Sequence, residues 1–172
     1  VNTMSKPIEI LVQETLERLR DPQLKTTADV KAFYSDFINA VWTYKCPSVM
    51  FDFYKQDICI FRENGANLEG LFAAVKDVAA LQAAFPDVVV RIGAMVVVGS
   101  EEEGYQIWAR TYFNGTNLGY SQYGAPTGKK LQGDSCMTLS MLKMEKIHSK
   151  WKIVDESTMY SDVVLRRAMG GR

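Results

Sequence analysis

The sequence predicts an α+β domain, and three observations carry that prediction. Apolar residues recur at helical spacing up to about residue 55 and again over 70–85. Residues 88–160 instead hold long runs rich in β-branched and aromatic side chains with strand-like alternation. Helices come mainly first and strands after, the order of an α+β fold rather than of alternating βαβ units. With 172 residues, 47% of them hydrophobic, the chain is one domain's worth and can bury a sizeable core. No internal repeat, low-complexity tract or linker interrupts it.

The first helix is expected over 7–20, with Ile8, Leu11, Val12, Leu16 and Leu19 on one face, ended by Asp21-Pro22 because proline disfavours helix in the residue before it. A second begins near Thr26, a capping hydroxyl, with Asp29 in the first turn where the helix dipole favours a carboxylate. Val30, Phe33, Tyr34, Phe37 and Val41 form its stripe, and Cys46-Pro47 breaks it. A short third helix is expected over 48–55. Residues 57–63 read as a strand, Asn64-Gly65 as a tight turn and 67–69 as the short partner strand. Residues 70–85 read as a helix buried through Leu71, Val75, Val78, Leu81 and Ala84. Strands are then expected over 88–99, 105–113, 134–144 and 149–160, followed by a short tail over 162–170.

Between the second and third of these long strands lies 114–130, with four glycines and a proline. Such spacing punctuates a long hairpin whose tip turns with positive φ. Gly124-Ala-Pro-Thr-Gly-Lys-Lys130 lacks the spacing of a phosphate-binding loop and leads into a strand rather than a helix. A dinucleotide-binding glycine fingerprint is likewise missing, so no cofactor is expected.

Charge and composition remove several function classes. Twenty basic and twenty acidic side chains cancel without forming a basic stripe, which argues against a nucleic-acid partner. The apolar run 95–98 is far too short to span a bilayer, and no signal-peptide pattern opens the sequence, so no membrane partner is expected. Cys46, Cys59 and Cys136 are odd in number and widely spaced, which suits reduced thiols in a cytoplasmic protein. With one histidine, His148, in a charged turn, and no tight carboxylate spacing, no metal site is expected. The sequon Asn114-Gly-Thr116 is read as unmodified in such a setting.

The arrangement Gly115-Thr-Asn-x-Gly119 followed by Gly124-x-Pro-Thr-Gly-Lys129 resembles the G-T-H-x-G…P-P-T-G-K segment of SnoaL-like polyketide-cyclase relatives, within the nuclear-transport-factor-2-like superfamily. Glu63-Asn-Gly…Leu-x-Gly70, Ala84-Phe-Pro-Asp87, Trp151-Lys-Ile-Val-Asp-Glu156 and the tail 163–170 follow in the family's order. The resemblance implies a cone-shaped, cystatin-like fold: a curved antiparallel sheet wrapped around helices, with an internal pocket. It covers 26–170 and leaves 1–25 as an N-terminal helical extension.

The resemblance also implies a catalytic carboxylate on the last strand, often with a histidine nearby. Aligned without gaps, that carboxylate position falls on Thr158, the histidine of G-T-H is replaced by Asn117, and the partner position on the preceding strand is Met137. A threonine hydroxyl cannot take a proton near neutral pH as a carboxylate does. The family's constellation is therefore not intact.

A replacement set is nevertheless legible. Residues two apart on a strand share a face, so Val154, Glu156, Thr158 and Tyr160 point together. Were that the pocket side, Glu156 would be a carboxylate in an apolar cavity, with the raised pKa of a general acid or base; alternatively it hydrogen-bonds a neighbouring strand or sits on a dimer face. Asp52, in the third helix, is the second candidate, either a pocket-mouth acid or a solvated helix residue. Arg62 and Glu63 face opposite ways, and one of them points inward. Trp42, Tyr44, Tyr54, Trp108 and Tyr112 either line a ligand cavity or fill the core.

Two function classes remain. One is a lyase, isomerase or cyclase transferring protons on a hydrophobic carbonyl-bearing substrate, with Glu156 as base. The other is a non-catalytic ligand-binding or dimerisation module. Trp108, Arg110 and Tyr112 alternate with Ile107, Ala109 and Thr111, so a central strand carries bulk on both sides, which predicts a homodimer.

Overall fold

The computed structural model describes residues 5–63 and 65–170. Among these, five α-helices and seven strands fold in the order α1 (Ile8–Leu19), α2 (Thr27–Ile38), α3 (Met50–Phe53), β1 (Cys59–Arg62), β2 (Leu68–Glu69), α4 (Leu71–Ala84), β3 (Val89–Ser100), β4 (Gly104–Thr116), β5 (Lys130–Leu131), β6 (Met137–Ile147), β7 (Lys150–Met159) and α5 (Asp162–Ala168). The sheet runs β2-β1-β7-β6-β4-β3, with β5 paired to the end of β4. The long strands β3, β4, β6 and β7 are antiparallel to one another, as the sequence predicts. One pairing is not: β1 lies parallel to β7, with Ile60 opposite Glu156 and Arg62 opposite Thr158.

The helices supply the other layer. Thr26 begins α2 through a reciprocal capping box: its hydroxyl accepts from Asp29 N–H at 3.2 Å, and Asp29 Oδ2 accepts from Thr26 N–H at 2.8 Å. Val30, Phe33, Tyr34 and Phe37 of α2 are buried in the core. Helix α1 rests on α2 through buried Thr15 and Leu19 and a two-pronged Arg18–Asp36 ion pair, at 2.8 and 2.9 Å.

Several expectations need correction. Helix α2 does not run straight to the break at Cys46; residues Asn39–Thr43 form a π-helical turn. Such a turn widens the helix by one residue and recurs at functional sites. The third helix is a 3₁₀ turn, Pro47–Val49, passing into the single α-turn of α3, because Pro47 fixes its start and Tyr54 is already extended. The strand expected from residue 134 starts only at Met137; Gly133–Cys136 is a 3₁₀ turn. Of the Asn64-Gly65 turn, Asn64 lies outside the described residues, and Gly65 has φ +72°.

Two β-bulges bend the sheet, one between Ile92 and Ala94 on β3 and one on β7 between the pairs Lys143–Asp155 and Met144–Ile153. The second changes which side chains face inward. Val154, which simple alternation places beside Glu156, is the extra residue of the bulge. The buried residues of β7 are Trp151, Ile153 and Glu156, with the phase switching at the bulge.

Candidate functional site

A cavity of about 150 Å³ lies between the concave face of the sheet and helices α2 and α4. Its wall is mostly apolar. Trp42 from the π-turn, Phe85 after α4 and Phe113 of β4 make an aromatic corner, with ring centroids 5.5 Å (Trp42–Phe113) and 5.3 Å (Phe85–Phe113) apart at near-perpendicular angles.

Glu156 enters this wall from β7, next to the bulge, and is only 8% exposed. The Tyr54 hydroxyl donates to its Oε2 at 2.5 Å, and the Thr158 hydroxyl to its Oε1 at 3.0 Å. Ser140 Oγ lies 3.3 Å from Thr158 Oγ1 and extends the network onto β6. Burial pushes the Glu156 carboxyl up from its ordinary value, against the lowering effect of the two hydroxyl donors and of Arg62. Burial, with the neighbouring Glu156, also drives the Tyr54 hydroxyl well above its ordinary range. Tyr34 is raised likewise. Tyr54 therefore remains a donor throughout the physiological range.

Beside this network, on the adjacent strand, Arg62 projects into the same cavity with its side chain 14% exposed. Its Nη2 pairs with Asp77 Oδ2 at 3.0 Å, and its Nη1 donates to the Tyr160 hydroxyl at 3.2 Å. The Arg62 Nε–H is buried without a hydrogen-bond partner among the described residues. Of the pair Arg62 and Glu63, the inward one is thus Arg62.

The candidates from the sequence separate cleanly. Glu156, Trp42, Tyr54, Arg62, Met137, Thr158 and Tyr160 all line the cavity. Asp52, Tyr44, Trp108, Tyr112 and Asn117 do not. Asp52 is exposed on α3 and borders a separate polar cleft, its backbone carbonyl accepting from Lys152 Nζ at 2.6 Å. Tyr44 caps the π-turn, its N–H bonded to Asn39 O at 2.8 Å. Trp108 is 51% exposed on the outer face of the sheet, and Tyr112, on the same face, lies under the Arg91 guanidinium 4.4 Å from its ring.

Asn117 is 1% exposed and ties down a loop. Its Oδ1 accepts from Thr127 N–H at 2.9 Å and lies 3.2 Å from Thr127 Oγ1, while its Nδ2 donates to Gly119 O at 3.1 Å. Its backbone bonds Lys129 O and Gly128 N–H, both at 2.9 Å. The chain turns through left-handed glycines, Gly124 at φ +108° and Gly128 at φ +69°. The loop delivers Tyr123 to the cavity rim, where its hydroxyl donates to Asp162 of α5 at 2.8 Å.

The reading from sequence missed Asp77, Ser140 and Tyr123. Asp77 carried a signal: it lies on the face of α4 shared by Ala74, Val78 and Leu81, all cavity-lining, so an acid interrupts an apolar stripe. Ser140 and Tyr123 carried none. Among the described residues no group of His, Cys, Asp and Glu is arranged to hold a metal ion, and no helix is long and apolar enough to cross a membrane.

The comparisons with known proteins agree with this architecture. AclR from Streptomyces galilaeus, a candidate hydroxylase, is similar at 16% identity with a TM-score of 0.63, covering 84% of this chain and 98% of that one. TsrD from Streptomyces laurentii gives 14% identity and a TM-score of 0.63, over 86% and 98%. IdmH from Streptomyces antibioticus, a candidate polyketide cyclase, gives 16% and 0.58, over 84% and 99%. At such identities the likeness is one of fold. No curated protein matches the sequence. The SnoaL-like polyketide cyclase family matches residues 28–163, and the chain belongs to that family.

Proposed function

We propose that the protein is a proton-transfer enzyme, a lyase, isomerase or cyclase acting on a hydrophobic carbonyl-bearing substrate, with Glu156 as its general acid and base. One observation carries this reading. Glu156 is a buried carboxyl in a mostly apolar cavity, its pKa pushed up by desolvation, the state that suits a group that must both take and return a proton. In the proposed step the Glu156 carboxylate removes a proton from the carbon next to the carbonyl and hands it back at another position. Tyr54 and Thr158 fix the orientation of the carboxyl through their hydroxyls. They are positioning residues.

The test is exchange of solvent deuterium into a panel of small enolisable ketones, followed by NMR, in wild type and Glu156→Gln. Glutamine keeps the shape without the titrating group, so exchange should fall by about 10²- to 10⁴-fold with folding preserved. Equal exchange in both proteins would exclude Glu156 as the base. One observation favours the alternative of a non-catalytic pocket: both Glu156 oxygens already accept hydroxyl protons.

A homodimer is part of the same proposal. The outer sheet face exposes Val96 and Trp108, in one cross-strand row with half-buried Met141, beside exposed Leu139 and Met159 on the neighbouring row. Val96 at 58% exposed and Trp108 at 51% make this an apolar surface that isologous pairing would cover. A single 19.4 kDa species in sedimentation at micromolar concentration would count against pairing. We also treat 1–25 as an element added to the 26–170 domain, and the three free thiols as those of a cytoplasmic protein.

A further inference from the structure

Asp77 is a second carboxylate in the cavity wall, and proton transfer by Glu156 leaves it without a task. It stands on α4, the helical side of the cavity, whereas Glu156 comes from the sheet. Its side chain is 25% exposed. Only Oδ2 is engaged, by Arg62 Nη2 at 3.0 Å. Oδ1 accepts no hydrogen bond among the described residues. Arg62 Nε is the one buried side-chain polar atom without a partner among those residues, so Asp77 Oδ1 is open to solvent. The carboxylate is also held in place. The guanidinium that binds Oδ2 donates to the Tyr160 hydroxyl at 3.2 Å and lies over the Tyr160 ring, 5.5 Å from its centroid. Ala74, Val78 and Leu81 of the same helix line the cavity beside Asp77, which sets the open oxygen in a mostly apolar surface.

We propose that Asp77 Oδ1 accepts a hydrogen bond from a hydroxyl group of the substrate, so that the substrate class is a neutral, hydroxylated carbonyl compound. This rests on the reading of the cavity as the place where Glu156 moves protons. The kind of donor follows from the charges. An anion is repelled by the carboxylate oxygen. A cation gains little, because Arg62 already neutralises Asp77 and its guanidinium lies alongside. A neutral O–H fits, since it needs one acceptor and bonds a carboxylate oxygen more strongly than a neutral one. An acceptor held ready in an apolar wall also discriminates. A ligand without the hydroxyl strips water from the oxygen and gives nothing in return. Arg62 acts on both carboxyls, through its ion pair with Asp77 and by its charge on Glu156. One guanidinium thus links the hydroxyl subsite to the base, and a hydroxyl pinned at Asp77 fixes the carbonyl end of the molecule relative to Glu156.

The probes are 3-hydroxyacetophenone, 3-methoxyacetophenone and acetophenone, which share an enolisable ketone and differ in the hydroxyl. Binding is measured by calorimetry at neutral pH, where the phenol keeps its proton. Wild type should bind the hydroxy ketone roughly ten-fold or more tighter than either of the others. Asp77→Asn turns its carboxamide oxygen to Arg62 and presents an N–H where Oδ1 stands, so the preference should fall to about two-fold or less. Arg62→Gln combined with Asp77→Asn removes both charges together, leaves no unpaired guanidinium, and should lose the same preference. It covers the case in which the single variant does not fold. Equal affinity of wild type for the hydroxy and methoxy ketones would overturn the subsite, as would a preference that persists in either variant. Failure of wild type to bind the hydroxy ketone at millimolar concentration would overturn the substrate class. Glu156→Gln should keep the affinity for 3-hydroxyacetophenone, while deuterium exchange into its methyl group falls. The base therefore fails on the exchange and the hydroxyl subsite on the affinities.

Discussion

Asn117 occupies the position where the family resemblance places a histidine, and its surroundings give it a load that can be measured. Asn117→Ala removes the acceptor of the Thr127 N–H, the partner of Thr127 Oγ1 and the donor to Gly119 O. Each of these three lost neutral hydrogen bonds costs about 0.5–1.5 kcal/mol. Partial rehydration of the loop offsets some of this, so a net loss of roughly 2–4 kcal/mol is expected. For a chain of this size that corresponds to a melting temperature lower by roughly 5–15 °C. Circular dichroism melts and urea titrations read it directly, and the urea slope should stay constant if only stability changes. Asn117→Asp separates the two halves of the contact. It keeps the acceptor for Thr127 N–H and, once ionised, sets a carboxylate oxygen against the Gly119 carbonyl, so its melting point should fall further below wild type as pH rises past the carboxyl's titration. An alanine variant melting within about 1 °C of wild type but binding ligands weakly would refute the loop-pin account and return Asn117 to the ligand.

Three further outcomes follow from other parts of the molecule. Glu156 is held protonated above its ordinary value near 4.5 by burial, with Tyr54, Thr158, Tyr34, Arg62 and Asp155 as the polar or charged groups acting on it or acted on by it. The native state then binds this proton more tightly than the unfolded state. Its stabilisation is full below the unfolded value and is lost as pH rises through the folded one. In paired melts, Glu156→Gln should therefore gain on wild type between acid and neutral pH; a pH-independent difference would deny the raised pKa. Thr26→Ala removes the hydroxyl half of the α2 capping box and should lower the melting temperature by roughly 2–4 °C, with Thr26→Ser restoring most of it. Trp108→Lys, on the exposed outer face, should convert a dimer to monomer in sedimentation without changing the far-ultraviolet spectrum.

The sequence was most legible where periodicity decides the outcome. Helix α4 and the long strands β3, β4 and β7 are marked by apolar stripes and β-branched runs long enough to outweigh local exceptions. It was least legible where one residue changes phase. The π-turn at Asn39–Thr43 and the bulge at Val154 each insert one residue without a distinctive side chain to announce it. Alternation alone therefore groups Val154 with Glu156, although Ile153 is the buried neighbour. The aromatic candidates divide for a related reason. Trp42 and Trp108 are equally apolar in the sequence, but one faces the concave side of the fold and the other the convex side. Only the curvature of the sheet and the phase of β4 distinguish them. Gly119 shows the same gap between composition and cause. It reads as a flexible turn residue, yet a Cβ there would collide with the carbonyl of Ala83, so the glycine lets the loop press against the end of α4.

The exchange of roles between Thr158 and Glu156 ties the site to the family without making it identical. Moving a carboxylate two residues back along one strand keeps it on the same face and shifts it by roughly 6–7 Å. At Thr158, the position implied by the resemblance, a carboxylate would stand level with Arg62, its register partner on β1. Facing that guanidinium it would be drawn towards the ionised, salt-bridged state. At Glu156 the carboxyl is instead level with Ile60, among Tyr54 and apolar side chains, where desolvation dominates and raises its pKa. The threonine left behind is not inert, because its hydroxyl donates to Glu156 and continues to Ser140. A double variant, Glu156→Thr with Thr158→Glu, restores the implied arrangement and tests whether the neighbourhood, rather than the residue, sets the chemistry. The relocated carboxyl should titrate below that of the present Glu156 by NMR. An unchanged titration would show that register against Arg62 has no part in setting this site.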